Sequence, residues 1–348
     1  MSMTNRVVLA GAIIGVGALG GCARNRAVAP VELTSVEVST IRERAMAVLD
    51  EFTTSERAEL RANSIEAMSG VPSRVEGAIE AGLHDESEAV RFTSAMVIGL
   101  KQLDEQAEKV RPLLHDSSSS VRAAAIFALT KCGAQVDRSP LASILLGDPS
   151  VGARANAAFV LGELGDSSAV PLLREAVRKQ VTSSRAPEAK VRLLELQISE
   201  AMIKLGDEEQ LESVRAALYP SRPEELEATA LAVQIIGEVG DQSSVNQLIY
   251  LASYREKGQM MPAEVRLAAA MSLAKLGHPG GDPIALEYSG DDREALRAQA
   301  AHVLGQSGHE ANLAKLDEMM RDESDLVRVS AASGVLTLTG SQMASAGE

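Results

Sequence analysis

The sequence predicts an all-α superhelix, a solenoid of about nine helix pairs, on three observations. An arginine preceded by an apolar residue recurs at Leu60-Arg61, Val90-Arg91, Val121-Arg122, Ala153-Arg154, Val191-Arg192, Val265-Arg266, Leu296-Arg297 and Val327-Arg328, with a degenerate copy at Ala228-Thr229. Successive markers lie 30, 31, 32, 38, 37, 37, 31 and 31 residues apart. Self-similarity at such a period is the signature of a stack of like units. A glycine stop follows the last apolar residues of most copies, at Gly133, Gly165, Gly206, Gly240, Gly277 and Gly308.

The chain opens on a leader, residues 1–21. Arg6 and the amino terminus supply a positive end, Val7–Leu19 is apolar, and Leu19-Gly20-Gly21-Cys22 follows. The run resembles the lipobox of bacterial lipoproteins: an aliphatic residue, two small residues, then cysteine. That resemblance implies cleavage before Cys22, a diacylglycerol on its thiol, and a membrane-anchored protein of the cell envelope facing the periplasm. Ala23 stands where an aspartate marks inner-membrane retention in enteric bacteria, which favours the outer membrane. Two other readings of this stretch compete with the lipobox. The 17 uncharged residues between Arg6 and Arg24 are at the short limit for a retained membrane helix, and the five glycines among them weaken it. Gly15, Gly17 and Gly20 satisfy G-x-G-x-x-G, but the amphipathic helix that a dinucleotide site needs does not follow.

Residues 22–40 read as a lipidated tether, with Pro30 and no helical period. Ile41–Phe52 reads as a first helix capping the N-terminal end of one elongated solenoid, 41–340. Residues 341–348 form a small, polar, flexible tail.

Within the solenoid, Val265–Gly277 is the cleanest copy. Proline is absent, alanine and leucine dominate, and Val265, Ala268, Ala269, Leu273 and Leu276 recur three and four apart. The glycine stop suits the left-handed conformation that closes a helix. A second, more polar helix follows, as in Ala169-Val170-Pro171-Leu172-Leu173, with Pro171 in its first turn. Ala123–Ala125, and Ala298, Ala300 and Ala301, let neighbouring helices approach to roughly 8–10 Å. One pair cannot bury its apolar stripe; a stack can. An aspartate sits six residues before the marker, giving Asp85/Arg91, Asp116/Arg122, Asp148/Arg154, Asp291/Arg297 and Asp322/Arg328. Each carboxylate is placed to cap backbone N–H groups, and each arginine to pair with the aspartate of its own or the neighbouring repeat. This is a structural ladder.

Aspartate, Val-Arg, an alanine-rich helix, Leu-Gly, then Val-Pro-Leu-Leu resembles the HEAT-like repeats of phycobilin lyases and bacterial scaffold proteins. Leu164-Gly165-Asp166 through Leu173 and Val265 through Gly277 match best. The resemblance covers about Leu60 to Gly340 and implies a repeat solenoid that carries no catalytic residues of its own. The copy at Thr229 lacks the arginine, and the fifth copy has a longer first helix whose register is open.

With 34 basic and 48 acidic residues, and 33 against 48 once the leader is removed, the surface repels phosphates. No basic stripe runs along it, so nucleic acid is not a partner. With Cys22 acylated, Cys132 stands alone at a helix end as a small, partly buried residue. His84-Asp85 and His115-Asp116 occupy equivalent places in adjacent repeats, roughly 10 Å apart, too far to share a zinc ion. His278, His302 and His309 show no ligand spacing. No metal or cofactor is implied, and Walker and G-x-S-x-G motifs are absent.

The three long spacings fall together, through residues 181–189, 219–225 and 256–263. Equivalent connections of a solenoid share an edge, so these loops line up. Arg178, Lys179, Arg185 and Lys190 flank the first as a local basic patch; Tyr219 and Arg222 mark the second; Tyr250, Tyr254, Arg255, Met260 and Met261 surround the third. Tyrosine, arginine and methionine are enriched at protein interfaces, though such loops are also tolerated as plain surface insertions. The expected function is a non-catalytic, lipid-anchored interaction scaffold of the bacterial envelope. The alternative is a lyase-like enzyme or chaperone acting on a small molecule or attached chromophore.

Overall fold

A computed structural model describes residues 33–183, 187–256 and 259–345. The leader, Cys22 and Arg185 lie outside them. The chain alternates outer and inner helices. They are α1 (Ser35–Phe52), α2 (Ala58–Met68), α3 (Pro72–Gly82), α4 (Glu88–Lys101), α5 (Asp104–Val110), α6 (Ser119–Lys131), α7 (Ser139–Gly147), α8 (Val151–Leu164) and α9 (Val170–Ser183). The second half adds α10 (Glu188–Lys204), α11 (Gln210–Ala216), α12 (Leu226–Val239), α13 (Val245–Ser253), α14 (Ala263–Lys275), α15 (Asp282–Tyr288), α16 (Glu294–Gln306), α17 (Asn312–Met319) and α18 (Asp325–Ser345). Even-numbered helices are the nine marker helices.

The stack closes on itself. Each even-numbered helix packs on the next, and the last, α18, packs on the first, α2. The even-numbered helices therefore form an inner ring around a central cavity. The elongated solenoid expected from the repeats is corrected by this closure. Among the described residues no outer helix follows α18; α1 takes that place, lying against both α18 and α2. The N-terminal helix is thus the missing half of the ninth repeat rather than a cap on an open end. Its start is also earlier than expected. Thr34 caps it, accepting from the Glu37 amide at 3.3 Å while the Glu37 carboxylate accepts from the Thr34 amide at 2.8 Å. That reciprocal box starts the helix at Ser35, inside the stretch expected to be tether. At the other end α18 continues to Ser345, past the expected limit.

The seam is held by apolar and charged contacts together. Ile41, Ala45, Met46, Leu49 and Phe52 of α1 are buried in the one core cluster that also holds Val335 and Leu338 of α18. Arg44 bonds Asp317 at 2.5 Å, and Arg328 bonds Glu51 at 3.0 Å with its guanidinium 4.9 Å from the centre of the Phe52 ring.

All six expected stop glycines have φ between 73° and 94°, the left-handed region open to a residue without Cβ. Gln102 takes the same conformation, φ 49°, at the end of α4, where the sequence offers no glycine. The fifth marker shifts register. Counting back from Leu205-Gly206, the residue equivalent to Arg266 is Glu195, and Arg192 pairs with it at 3.5 Å one turn earlier. A short antiparallel ribbon, Arg255–Glu256 with Gln259–Met260, precedes α14 and was not expected.

Candidate functional site: the ladder rim and its groove

The ring has two rims. The loops that enter the inner helices form the N-terminal rim, and those that leave them form the C-terminal rim. On the N-terminal rim the expected ladder is present, and it runs between repeats. Arg61 grips Asp85 with two bonds of 2.7 Å, Arg91 grips Asp116 at 2.8 and 3.0 Å, and Arg297 grips Asp322 at 2.9 and 2.8 Å. The same arginine also donates backward to its own loop, as Arg91 does to the Asp85 and Glu86 carbonyls at 2.8 and 2.9 Å. Each aspartate accepts the amide two residues on, Ser87, Ser118, Ser150, Arg293 or Ser324, at 2.8–2.9 Å. It therefore fixes the residue before the helix instead of capping the first turn itself.

The ladder has departures. Arg122 turns to the Asp116 and Ser117 carbonyls and the Ser119 hydroxyl, and among the described residues it forms no pair with Asp148. Arg154 sits half-buried on α8. Arg266, 3 % exposed, is held by Glu287 at 2.9 and 3.0 Å, by the Ala252 carbonyl at 2.9 Å and by the Tyr288 hydroxyl, so Asp291 is not its partner. Arg328 reaches across the seam to Glu51.

A second ladder, on the C-terminal rim, was missed. Arg138 pairs with Asp166 at 3.3 Å, Arg174 with Asp207 at 2.8 Å and Arg215 with Asp241 at 2.9 Å. The signal was present in the aspartate that follows the stop glycine in Leu164-Gly165-Asp166, Leu205-Gly206-Asp207 and Val239-Gly240-Asp241. With Lys275–Glu238 bridging α14 to α12, Glu264 of α14 meeting Arg293 just before α16, and Arg74 of α3 meeting Asp50 of α1, every joint of the ring carries an ion pair.

The loops expected to bind a partner all lie on the N-terminal rim, and the first two come together. The N-terminal half of α10 and the segment 216–228 enclose a groove of about 690 Å³. Tyr219 stands on it, 59 % exposed. Arg222 bends onto Glu225 at 2.9 Å and so serves its own loop. In the next repeat Tyr250 and Tyr254 stack with ring centres 4.8 Å apart, and Tyr250 and Met260 are exposed. Arg178 and Lys179 are exposed on α9 but do not line the groove, and Arg255 lies in the ribbon. The groove itself is lined by Glu188, Glu195, Glu224, Glu225 and Glu227 against Arg192 and Arg222, both of which are paired with glutamates.

A separate cavity of about 570 Å³ lies at the ring's centre, between α2, α4, α14, α16 and α18. Asn63, Lys101, His302, Gln306, Ser330 and Thr337 are among its walls. Among the described residues no group of three His, Cys, Asp or Glu is placed to hold a metal. His84 bonds the Glu80 carbonyl, His278 accepts the Gly280 amide and His309 meets Asp282. Burial, with the nearby Asp104 carboxylate, pushes the Cys132 thiol up to about 11. No described helix is long and apolar enough to cross a membrane.

The family model for HEAT repeats matches residues 45–130 and 259–336, and the one for PBS lyase HEAT-like repeats matches 153–179. No curated protein matches the sequence. Among solved structures, human deoxyhypusine hydroxylase in complex with glycerol is similar at 16% identity over 86% of this chain and 98% of its own, with a TM-score of 0.38. The CpcE–CpcF complex of phycocyanin lyase from a Nostoc species is similar at 16% identity over 91% of this chain and 100% of its own, with a TM-score of 0.32. An engineered protein is similar at 17% identity over 88% and 92%, with a TM-score of 0.33. The helix pairs and both family matches identify HEAT-type repeats over these stretches of the chain.

Proposed function

We propose that the ring is an interaction scaffold that docks a protein partner on the long-loop stretch of its N-terminal rim. The observation that carries this reading is the grouping of three of the chain's four tyrosines on that stretch, Tyr219 on an open groove and Tyr250 and Tyr254 in the next repeat. Tyrosine offers a large contact area at low cost in side-chain freedom, which suits an interface. Joint substitution of Tyr219, Tyr254 and Arg222 by alanine should remove a partner captured by affinity pull-down while the helical circular dichroism stays intact. An unchanged partner list would sink the reading.

The scaffold is proposed to be tethered in the bacterial envelope through Cys22, facing the periplasm. Support comes from Leu19-Gly20-Gly21-Cys22 behind an apolar run. Peptide mass spectrometry of the membrane fraction should find a diacylglyceryl adduct on Cys22, and Cys22→Ala should release the chain. An unmodified Cys22 with residues 1–21 attached would overturn the anchor and leave the ring untouched.

The central cavity favours a second reading, lyase-like or chaperone-like handling of a small molecule, because His302, Lys101 and Asn63 converge on it. His302→Ala should then abolish small-molecule retention while partner capture on the rim persists.

A further inference from the structure

The central cavity straddles the seam. It lies within the arc α14, α16, α18, α2, α4, so its floor is assembled from the last repeats and the first. Three neighbouring inner helices meet it with uncharged hydrogen-bonding groups, among them His302 and Gln306 of α16, Ser330 and Ser333 of α18, and Asn63 of α2. Met271 of α14 and Val97 and Leu100 of α4 stand at the two ends of the arc. The floor is polar and the flanks are apolar.

The floor is more polar than the fold itself uses. A serine or threonine inside a helix ordinarily returns its hydroxyl proton to the carbonyl one turn back. Thr337 does so to Ser333 at 3.0 Å and Thr339 to Val335 at 2.8 Å. On the same helix, the Ser330 and Ser333 hydroxyls form no hydrogen bond among the described residues. Ser330 is only 2 % exposed, and its side lies against the cavity. The His302 ring and the Gln306 amide form none among the described residues either. Burial lowers the His302 imidazole to a pKa of about 4, so at neutral pH it is an uncharged ring with one donor and one acceptor. A buried polar group without a partner costs stability, and these groups are completed by whatever fills the cavity.

The charge on the wall narrows the choice. Glu66 and Lys101 are its one carboxylate and its one ammonium, so an ionic ligand is attracted by one and repelled by the other. Hydroxyl, amide and neutral imidazole groups offer donors and acceptors together, and a ligand hydroxyl does the same. The apolar flanks suit the C–H faces of a ring.

We propose that the central cavity binds a neutral polyhydroxy compound of sugar size, with its hydroxyls on Ser330, Ser333, Gln306 and His302 and its C–H faces against Met271, Val97 and Leu100. This rests on the small-molecule reading of the cavity and names the class of molecule. The volume of about 570 Å³ falls within the roughly 300–1,000 Å³ of small-molecule sites. Because the floor exists only where α18 meets α2, a bound sugar bridges the seam and stabilises the closed ring.

The test titrates the full-length chain by calorimetry with glucose, sucrose and trehalose, and with gluconate and glucosamine as charged counterparts of glucose. At least one neutral sugar should bind and raise the melting temperature at low millimolar concentration. Both charged counterparts should bind at least tenfold more weakly than the best neutral sugar. Ser330→Ala and Gln306→Ala should each weaken the sugar about two- to tenfold, the worth of one hydrogen bond, while Tyr219→Ala on the rim leaves it unchanged. Melts without sugar show that each variant is folded. No heat with any neutral sugar, or an affinity indifferent to both cavity variants, would overturn the assignment. If gluconate or glucosamine binds best and the two cavity variants weaken it, the cavity still handles a small molecule and the neutral sugar falls. Small-molecule retention that His302→Ala removes, with no heat from any sugar, has the same meaning.

Discussion

Arginine–carboxylate pairs act here as joints, and Asp241 shows how one titrates. Although burial opposes ionisation, hydrogen bonds from Arg215, Ser244 and Ser243 hold its carboxyl well below the usual aspartate range. A depressed native value means stability that is fully present above the unfolded value of about 3.9 and lost as pH falls through the native one. Asp241→Asn should therefore melt lower than the parent at pH 7, with the gap narrowing once the pH falls below about 4. A gap that stays constant to pH 2 would show that the charge is idle. Arg266 is the costlier residue. Arg266→Met leaves the Ala252 carbonyl and the Tyr288 hydroxyl without their donor, and should cost about 1.5–3 kcal/mol in chemical denaturation. Cys132, with its thiol raised to about 11, should be alkylated at pH 8 roughly a hundredfold more slowly than a free cysteine of pKa about 8.5. Mass spectrometry of iodoacetamide-treated Cys22→Ala protein checks this. The aspartates of the first ladder were legible because each recurs at a fixed distance from its arginine. Those of the second, each just past a stop glycine, were harder to pair, because Arg174 and Arg215 stand nine residues beyond their glycines, at Gly165 and Gly206, whereas Arg138 stands five beyond Gly133.

At the scale of helices, the inner ring alternates between close and open joints. Gly99, Gly162, Gly237 and Gly305 lie eight residues past the marker position of α4, α8, α12 and α16, and face Ala128, Ala201, Ser272 and Gly334 of the next inner helix. A Cβ on Gly305 would sit 2.3 Å from the Gly334 Cα, and one on Gly162 2.9 Å from the Ala201 Cα. The other inner helices carry Ser69, Thr130, Ile203, Ala274 and Leu336 at this position, and their joints are wider. Gly305→Ala should thus destabilise the ring by about 1–3 kcal/mol through overpacking. Gly77, exposed in the middle of α3 with no atom near its absent Cβ, should instead stabilise on change to alanine by up to about 1 kcal/mol. The same thermal melts read both signs. These glycines were visible in the sequence as part of alanine-rich helices, but nothing there says that each of them faces the next inner helix. That depends on how far adjacent helices turn about one another.

For the whole molecule, nine marker helices were countable from the period alone, whereas closure was not. Whether a stack meets its own end depends on a small rotation per repeat that no local pattern states. The odd helix at the start, α1, was the available hint, since a chain with one outer helix too many at its head and one too few at its tail can finish itself. Reversing one seam charge, Arg44→Glu, should lower the melting temperature, and adding Asp317→Arg should recover much of it; no recovery would mean that Arg44 and Asp317 are not coupled. Closure also has a consequence of parity. An alternating pattern can run round a ring without fault only if the number of members is even. With nine, it must stumble once, and here it does so at α2, flanked by Leu336 of α18 before it and by its own Ser69 after it, with no glycine joint on either side. Amides of α2 should accordingly exchange with solvent before those of α16, and a ring bred by duplicating pairs of repeats would have its one mismatched link next to the place where its two chain ends are sewn together.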